Sequence, residues 1–199
     1  MAVCIGCGPF NVRQSLLPRT KKVIVALAAM LLVVRAGLDG QAVTQPALRA
    51  AFLYNFAKFT EWPADNLPAG PLTLCVIDDS AVEGALSELV GNSTINGRAV
   101  TISRNASGAR LRACHLLYVG EATSGRAAAI LDELLGAPVL TVSNGDEFIR
   151  LGGIVGLFVE EGRMRFAINQ DAAQRAGVRL SSRLLQLARI FKDDRHDKP

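Results

Sequence analysis

Three short apolar segments constrain the fold of this 199-residue chain most: Leu72 to Ile77 (LTLCVI), His115 to Val119 (HLLYV) and Val139 to Val142 (VLTV). Each is hydrophobic at consecutive positions, so a strand made from it presents apolar side chains on both faces of a sheet, and both faces need cover. The segments between them are long enough to supply it. Asp78, Asp79 and Ser80 are helix-capping types ahead of Ala81 to Leu89, and residues 125 to 135 read as a helix ended by Gly136 and Pro138. Right-handed βαβ crossovers then give a three-layer α/β fold, a mostly parallel sheet flanked by helices on both faces.

The remaining segments complete the picture. Residues 46 to 59 (PALRAAFLYNFAKF) form a helix opened by Pro46, with Leu48, Phe52, Asn55, Phe56 and Phe59 recurring at helical spacing and Leu53, Tyr54 and Ala57 on its other faces. A helix this apolar around its circumference needs covering on more than one side. Asn96-Gly97 turns the chain into Arg98 to Ser103, whose alternation suits a strand near an edge, and a short helical segment surrounds Phe148. Ile154 to Val159 and Met164 to Ile168 flank a tight turn at Glu160-Glu161-Gly162-Arg163, which adds an antiparallel C-terminal hairpin strand. Gln170 to Ala176 and Ser181 to Phe191 are the last expected helices, the second with Leu184, Leu187, Ala188 and Phe191 facing the core.

Charge is informative only after it is divided along the chain. The net charge is +4, but five of the 22 Lys and Arg and one of the 18 acidic residues precede Val43, which leaves 17 of each sign beyond it. No basic stripe survives, so a nucleic-acid partner is not expected. The early basic residues serve another purpose. Arg19, Lys21 and Lys22 precede an apolar run from Val23 to Val34, which Arg35 closes. Its twelve residues fall short of the roughly 20 that cross a bilayer, and they fit a secretory signal peptide over residues 1–42. Gly40 and Ala42 suit cleavage after Ala42, leaving a single domain from residue 43 to 199 delivered to an oxidising compartment. The alternative is an uncleaved anchor. The stretch before Arg19, with Cys4 and Cys7, makes the leader unusually long, as a spurious upstream start codon would. Two cysteines then remain, Cys75 and Cys114, and an even count in an oxidising compartment suggests one disulfide, with two buried thiols as the alternative.

A search for chemistry finds little. His115 opens an apolar strand with no nucleophile in a recognisable setting beside it, and His196 lies in a polar tail. Neither G-x-S-x-G nor H-E-x-x-H occurs, no metal or cofactor is expected, and the glycines at 152, 153 and 156 precede a strand instead of opening a helix as a phosphate loop does. Asp78 and Asp79 follow a parallel strand, where open α/β sheets bind ligands, although capping the next helix is the simpler explanation of both. By contrast, Phe52, Tyr54, Phe56, Phe59 and Trp62 place five of the eleven aromatic residues within eleven positions. A cluster of this kind is more often core, yet so many rings exceed what one face of a short helix can bury, so beside the core reading an interaction surface is expected at Tyr54, Phe59 and Trp62, with Arg183 and Arg189 on the final helix. A binding protein fits this composition better than an enzyme.

The segments AFLYNFAKFTEWP (51–63), LCVI (74–77), NGR (96–98), CHLLYVG (114–120), PVLTVSN (138–144), EGRMRFAIN (161–169) and SSRLLQLARI (181–190) resemble, in order, the YfiR family of periplasmic proteins. The resemblance covers essentially the whole chain beyond the leader. It implies a small periplasmic α/β protein that can dimerise and that, as the family's namesake does, represses an inner-membrane diguanylate cyclase, lowering cyclic di-GMP and restraining biofilm, until an outer-membrane lipoprotein relieves it. Cys75 and Cys114 match a family disulfide. A second one, around Ser143 to Gly153, has no cysteines here, which separates this chain from the family's namesake. Two classes stay open: a repressor of a membrane cyclase or sensor, and a periplasmic small-ligand receptor using Asp78 and Asp79.

Overall fold

Thr44 opens the first helix, α1 (Gln45–Lys58), by accepting the Ala47 amide at 3.3 Å, with Pro46 in the first turn and Lys58 at the carboxyl end. The computed structural model describes residues 44–63, 70–104, 106–121 and 124–192. The expected signal peptide and the tail that carries His196 lie outside the described residues. After α1 come β1 (Thr60–Glu61), β2 (Leu72–Ile77), α2 (Ser80–Val90), β3 (Thr94–Ile95), β4 (Arg98–Arg104), a 3₁₀ turn (Gly108–Ala113) and β5 (Leu116–Val119). They are followed by α3 (Ser124–Glu133), β6 (Leu140–Asn144), α4 (Asp146–Arg150), β7 (Val155–Glu160), β8 (Arg163–Asn169), α5 (Gln170–Arg175), β9 (Arg179–Leu180), α6 (Ser182–Leu187) and β10 (Arg189–Phe191).

Eight strands form one mixed sheet in the order β10-β8-β7-β6-β5-β2-β4-β3. The run from β7 through β4 is parallel, while β8 returns antiparallel to β7 and β3 antiparallel to β4. The hairpin between β7 and β8 closes on Glu161 and Gly162, both at positive φ, the backbone that a two-residue turn requires for the strand twist to match. Along the central strands, alternate residues enter different cores, which makes the structure three-layered as the sequence implies. Leu72, Leu74 and Val76 of β2, with Leu116 and Tyr118 of β5, meet Leu53 and Phe56 of α1 and Val82 and Leu86 of α2. Their neighbours Cys75, Ile77, Leu117 and Val119 pack on the other face against Leu111, Ala127, Ile130 and Phe148.

Cys75 and Cys114 form a disulfide in this second core, with a Cα–Cα separation of 5.9 Å. It joins the middle of β2 to the residue before His115, so it fixes how the 3₁₀ turn enters β5. In the stretch from Ser143 to Gly153, which has no cysteine pair, packing holds the chain instead. The Phe148 ring lies where a Cβ on Gly153 would come within 2.2 Å of it, so glycine is required there.

Two expectations are corrected by the structure. The residues of α1 that face the sheet are Ala50, Leu53, Phe56 and Ala57, whereas Phe52 and Phe59 are half-buried and Asn55 is exposed. Small Ala50 and Ala57 let the helix approach the sheet closely, and only Phe56 of the expected stripe is fully in the core. The final helix does not reach Phe191. It ends at Leu187, Ala188 turns extended (φ −90°, ψ 148°), and Arg189 to Phe191 add a parallel edge strand to β8. Those three residues pair with the Ala167 to Asn169 backbone, which would otherwise be an open sheet edge, and a helix cannot make those bonds. Leu187, expected in the core, is 72% exposed.

The disulfide closes a loop with a sequence separation of 39, so a Cys75→Ala, Cys114→Ala double variant is expected to lose roughly 4 kcal/mol of stability on the loop-entropy account. Urea unfolding of oxidised protein and variant measures the difference, and equal midpoints would contradict it.

Candidate functional site

The stripe of α1 that the sheet leaves uncovered becomes one wall of a groove. Leu48, Ala51, Phe52, Asn55 and Phe59 face Arg183, Leu184 and Leu187 of α6 across a space of about 480 Å³, with Phe56 and Phe166 at its base. Phe52, Phe56 and Phe166 pack ring against ring, with centroids 5.0 to 5.9 Å apart and edge-on or tilted planes, as the aromatic quadrupole favours. Short backbone ties set the two helices side by side. Thr60 pairs with Leu180 and Glu61 with Arg179, the Ser181 amide donates to the Phe59 carbonyl at 3.0 Å, and the Ser181 hydroxyl caps α6 by accepting the Leu184 amide at 3.3 Å. The groove is apolar except for Asn55 and Arg183, and Leu187 stands exposed on its rim. It therefore suits an apolar segment of another chain and offers no acid, base or nucleophile for catalysis.

The five expected partner residues do not share one surface. Phe59 and Arg183 line the groove, while Tyr54 is half-buried against the α1 core. Trp62 lies at the amino ends of the central strands, where its Nε1 donates to the His115 carbonyl at 3.1 Å and its ring meets the imidazole edge-on at 5.8 Å. Arg189 belongs to the β10 edge, with its guanidinium 2.5 Å from the Asp146 carboxylate and 4.2 Å over the centre of the Phe158 ring.

His115 is held as a neutral acceptor. Its Nδ1 accepts the Thr73 amide at 3.0 Å, so the proton sits on Nε2, 3.4 Å from the Arg98 guanidinium. Burial, and then the positive charge of Arg98, lower its pKa below the ordinary 6.5. Arg98 in turn donates to the carbonyls of Gly70 and Pro71, so this cluster anchors the entry into β2.

At the opposite end of the sheet, Asp78 and Asp79 stand at the switch point between β2 and β5, where strand order reverses. Protein groups occupy both. Asp79 caps α2 by accepting the Val82 amide at 3.0 Å, and Asp78 pairs with Arg126 at 3.0 Å. Gly120 closes the crevice, since a Cβ there would lie 2.4 Å from the Asp78 carbonyl oxygen. Beside them the fully buried Tyr118 accepts a hydrogen bond from Asn144 Nδ2 at 3.1 Å, with its hydroxyl 3.5 Å from Asp79. Burial first, with the Asp79 charge adding to it against the opposing Asn144 bond, pushes the phenol up to about 12. Next to this group an open cleft of about 480 Å³ is lined by Arg49, Glu121, Asn144, Phe158 and Met164 among others. The sequence reading missed Arg49, although it is the one charged residue between Thr44 and Lys58 in an otherwise apolar helix. Among the described residues, no group of three His, Cys, Asp or Glu side chains is placed to hold a metal, and no helix is long and apolar enough to cross a membrane.

These features define a three-layer α/β protein with an apolar groove between α1 and α6. The chain belongs to the YfiR/HmsC-like family, whose model matches residues 46–189. Among solved structures, the chain is similar to a conserved domain protein from Vibrio cholerae at 13% identity and a TM-score of 0.46, over 75% of this chain and 60% of that one. The chain thus spans about 60% of the length of that solved structure.

Because the pKa of His115 is lowered in the folded state, the unfolded chain takes up the proton first as pH falls, and stability declines on that side. The contribution is complete above about 6.5, the unfolded value, and is lost as pH falls from there through the folded value. His115→Gln is expected to flatten this part of the stability profile. Melting temperatures across the range check it, and a profile equally steep in the variant would contradict the assignment.

Proposed function

We propose that this protein is a periplasmic repressor that binds the periplasmic part of an inner-membrane diguanylate cyclase, or of a related sensor, and so lowers cyclic di-GMP and restrains biofilm formation. Family membership supports the pathway, and one observation carries the binding mode: the apolar groove between α1 and α6, bordered by the exposed Leu187 and Arg183. Aromatic walls, an apolar floor and a single basic group at the rim match how an amphipathic segment is seated, with the hydrophobic part buried and an acidic residue of the partner meeting Arg183. Repression of this kind needs no catalysis. It needs higher affinity for the inactive form of the partner, because a ligand shifts an equilibrium only by its differential affinity for the two states. Keeping 99% of the partner inactive takes about a hundredfold excess over the dissociation constant, equivalent to about 2.7 kcal/mol. A cleaved signal peptide delivers the chain, no cofactor takes part, two copies form a homodimer, and an outer-membrane lipoprotein releases the partner.

Deleting the gene is expected to raise cyclic di-GMP and thicken biofilm, and restoring the wild-type gene to reverse both. Leu187→Asp and Arg183→Glu lie at exposed positions, so they are expected to leave folding intact yet fail to complement. Cyclic di-GMP measured in the four strains tests the reading. Unchanged levels in the deletion strain, with cyclase and repressor both expressed, would reject it and favour the small-ligand receptor.

A further inference from the structure

We propose that the cleft at the carboxyl ends of β5, β6 and β7 binds a small monocarboxylate bearing an apolar group, with the carboxylate at Arg49 and Asn144 and the apolar part against Leu157, Val159 and Met164. Position supplies the first argument. The cleft lies outside the carboxyl ends of parallel strands, beside the switch point, where α/β sheets carry their ligands, and its volume of about 480 Å³ suits a small molecule. Asp78 and Asp79 themselves are engaged within the protein, so the open space is displaced by one strand toward β6.

The chemistry of the lining supplies the second. The Nε of Arg49 is buried and has no hydrogen-bond partner, and no carboxylate pairs with this guanidinium among the described residues. A buried charged donor without an acceptor is destabilising, and a planar carboxylate is the group that a guanidinium fork fits best. Asn144 gives one amide proton to Tyr118 and keeps the other for a ligand. On the opposite side, Leu157, Val159 and Met164, on one face of the hairpin, form an apolar wall. Glu121 at the mouth and Asp79 near Tyr118 repel multiply charged anions, which selects one negative charge over a phosphate or polyphosphate. The cleft shares no lining residue with the groove between α1 and α6, so it stands apart from the partner-docking reading.

Amide NMR of the purified protein, titrated separately with hexanoate, phenylacetate and the neutral analogue phenylacetamide, tests the assignment. The carboxylates are expected to shift the Gly120, Asn144 and Gly145 resonances saturably, and phenylacetamide to bind at least tenfold more weakly. Arg49→Gln is expected to weaken carboxylate binding by a similar factor. Val159→Asp provides a second variant at an exposed position, one that sets a like charge beside the ligand without touching the core, and it too is expected to weaken binding while the rest of the spectrum keeps its dispersion. No saturable shift with either carboxylate, equal affinity for phenylacetamide, or undiminished binding in Val159→Asp would overturn the proposal.

Discussion

Everything in this structure follows from burying a parallel sheet on both sides. β2 and β5 are apolar on each face and β6 buries Leu140 and Val142 on one side and Thr141 and Ser143 on the other, so α1 and α2 must cover one face and α3, α4 and the 3₁₀ turn the other. The disulfide belongs to the same requirement. Cys75 and Cys114 sit in the second core, where the covering elements are shortest, and the bridge fixes the entry to β5 that those elements alone hold weakly. Once both faces are covered, the α1 stripe of Leu48, Phe52 and Phe59 is left over. The groove is thus a by-product of how α1 packs, with Ala50 and Ala57 turned inward and the larger side chains turned sideways.

Much of the fold was legible because its strongest signals are local. Continuous runs such as LTLCVI need no periodicity to be recognised as doubly buried strands, and Glu161-Gly162 announces its own turn. The pieces that escaped are those whose identity is decided by partners distant in sequence. β1 and β9 are two residues each and exist only because Thr60 and Leu180 meet. Arg189 to Phe191 continue a respectable helical pattern, and only the unpaired edge of β8 converts them to strand. In the same way, the aromatic excess signalled an interface, but it could not show that Trp62 is occupied by His115 or that Arg189 is held by Asp146 and Phe158.

The two ends of the sheet differ in character. At the amino ends, Trp62 donates to the His115 carbonyl, the His115 ring accepts the Thr73 amide, and Arg98 donates to the carbonyls of Gly70 and Pro71, which anchors the entry into β2. At the carboxyl ends, Asp78 and Asp79 are consumed by an ion pair and a cap, while Arg49 remains unpaired in the adjoining cleft. Among the described residues, neither end assembles a nucleophile with a base.

The central claim is that the groove seats the membrane partner, and photocrosslinking from position 187 in living cells tests it most directly. A crosslinking amino acid in place of Leu187 is predicted to capture a membrane protein that carries a GGDEF diguanylate cyclase domain or belongs to a sensor, with loss of the adduct when Arg183→Glu is added. Adducts only with a second copy of this chain, or only with soluble periplasmic proteins, would contradict the account.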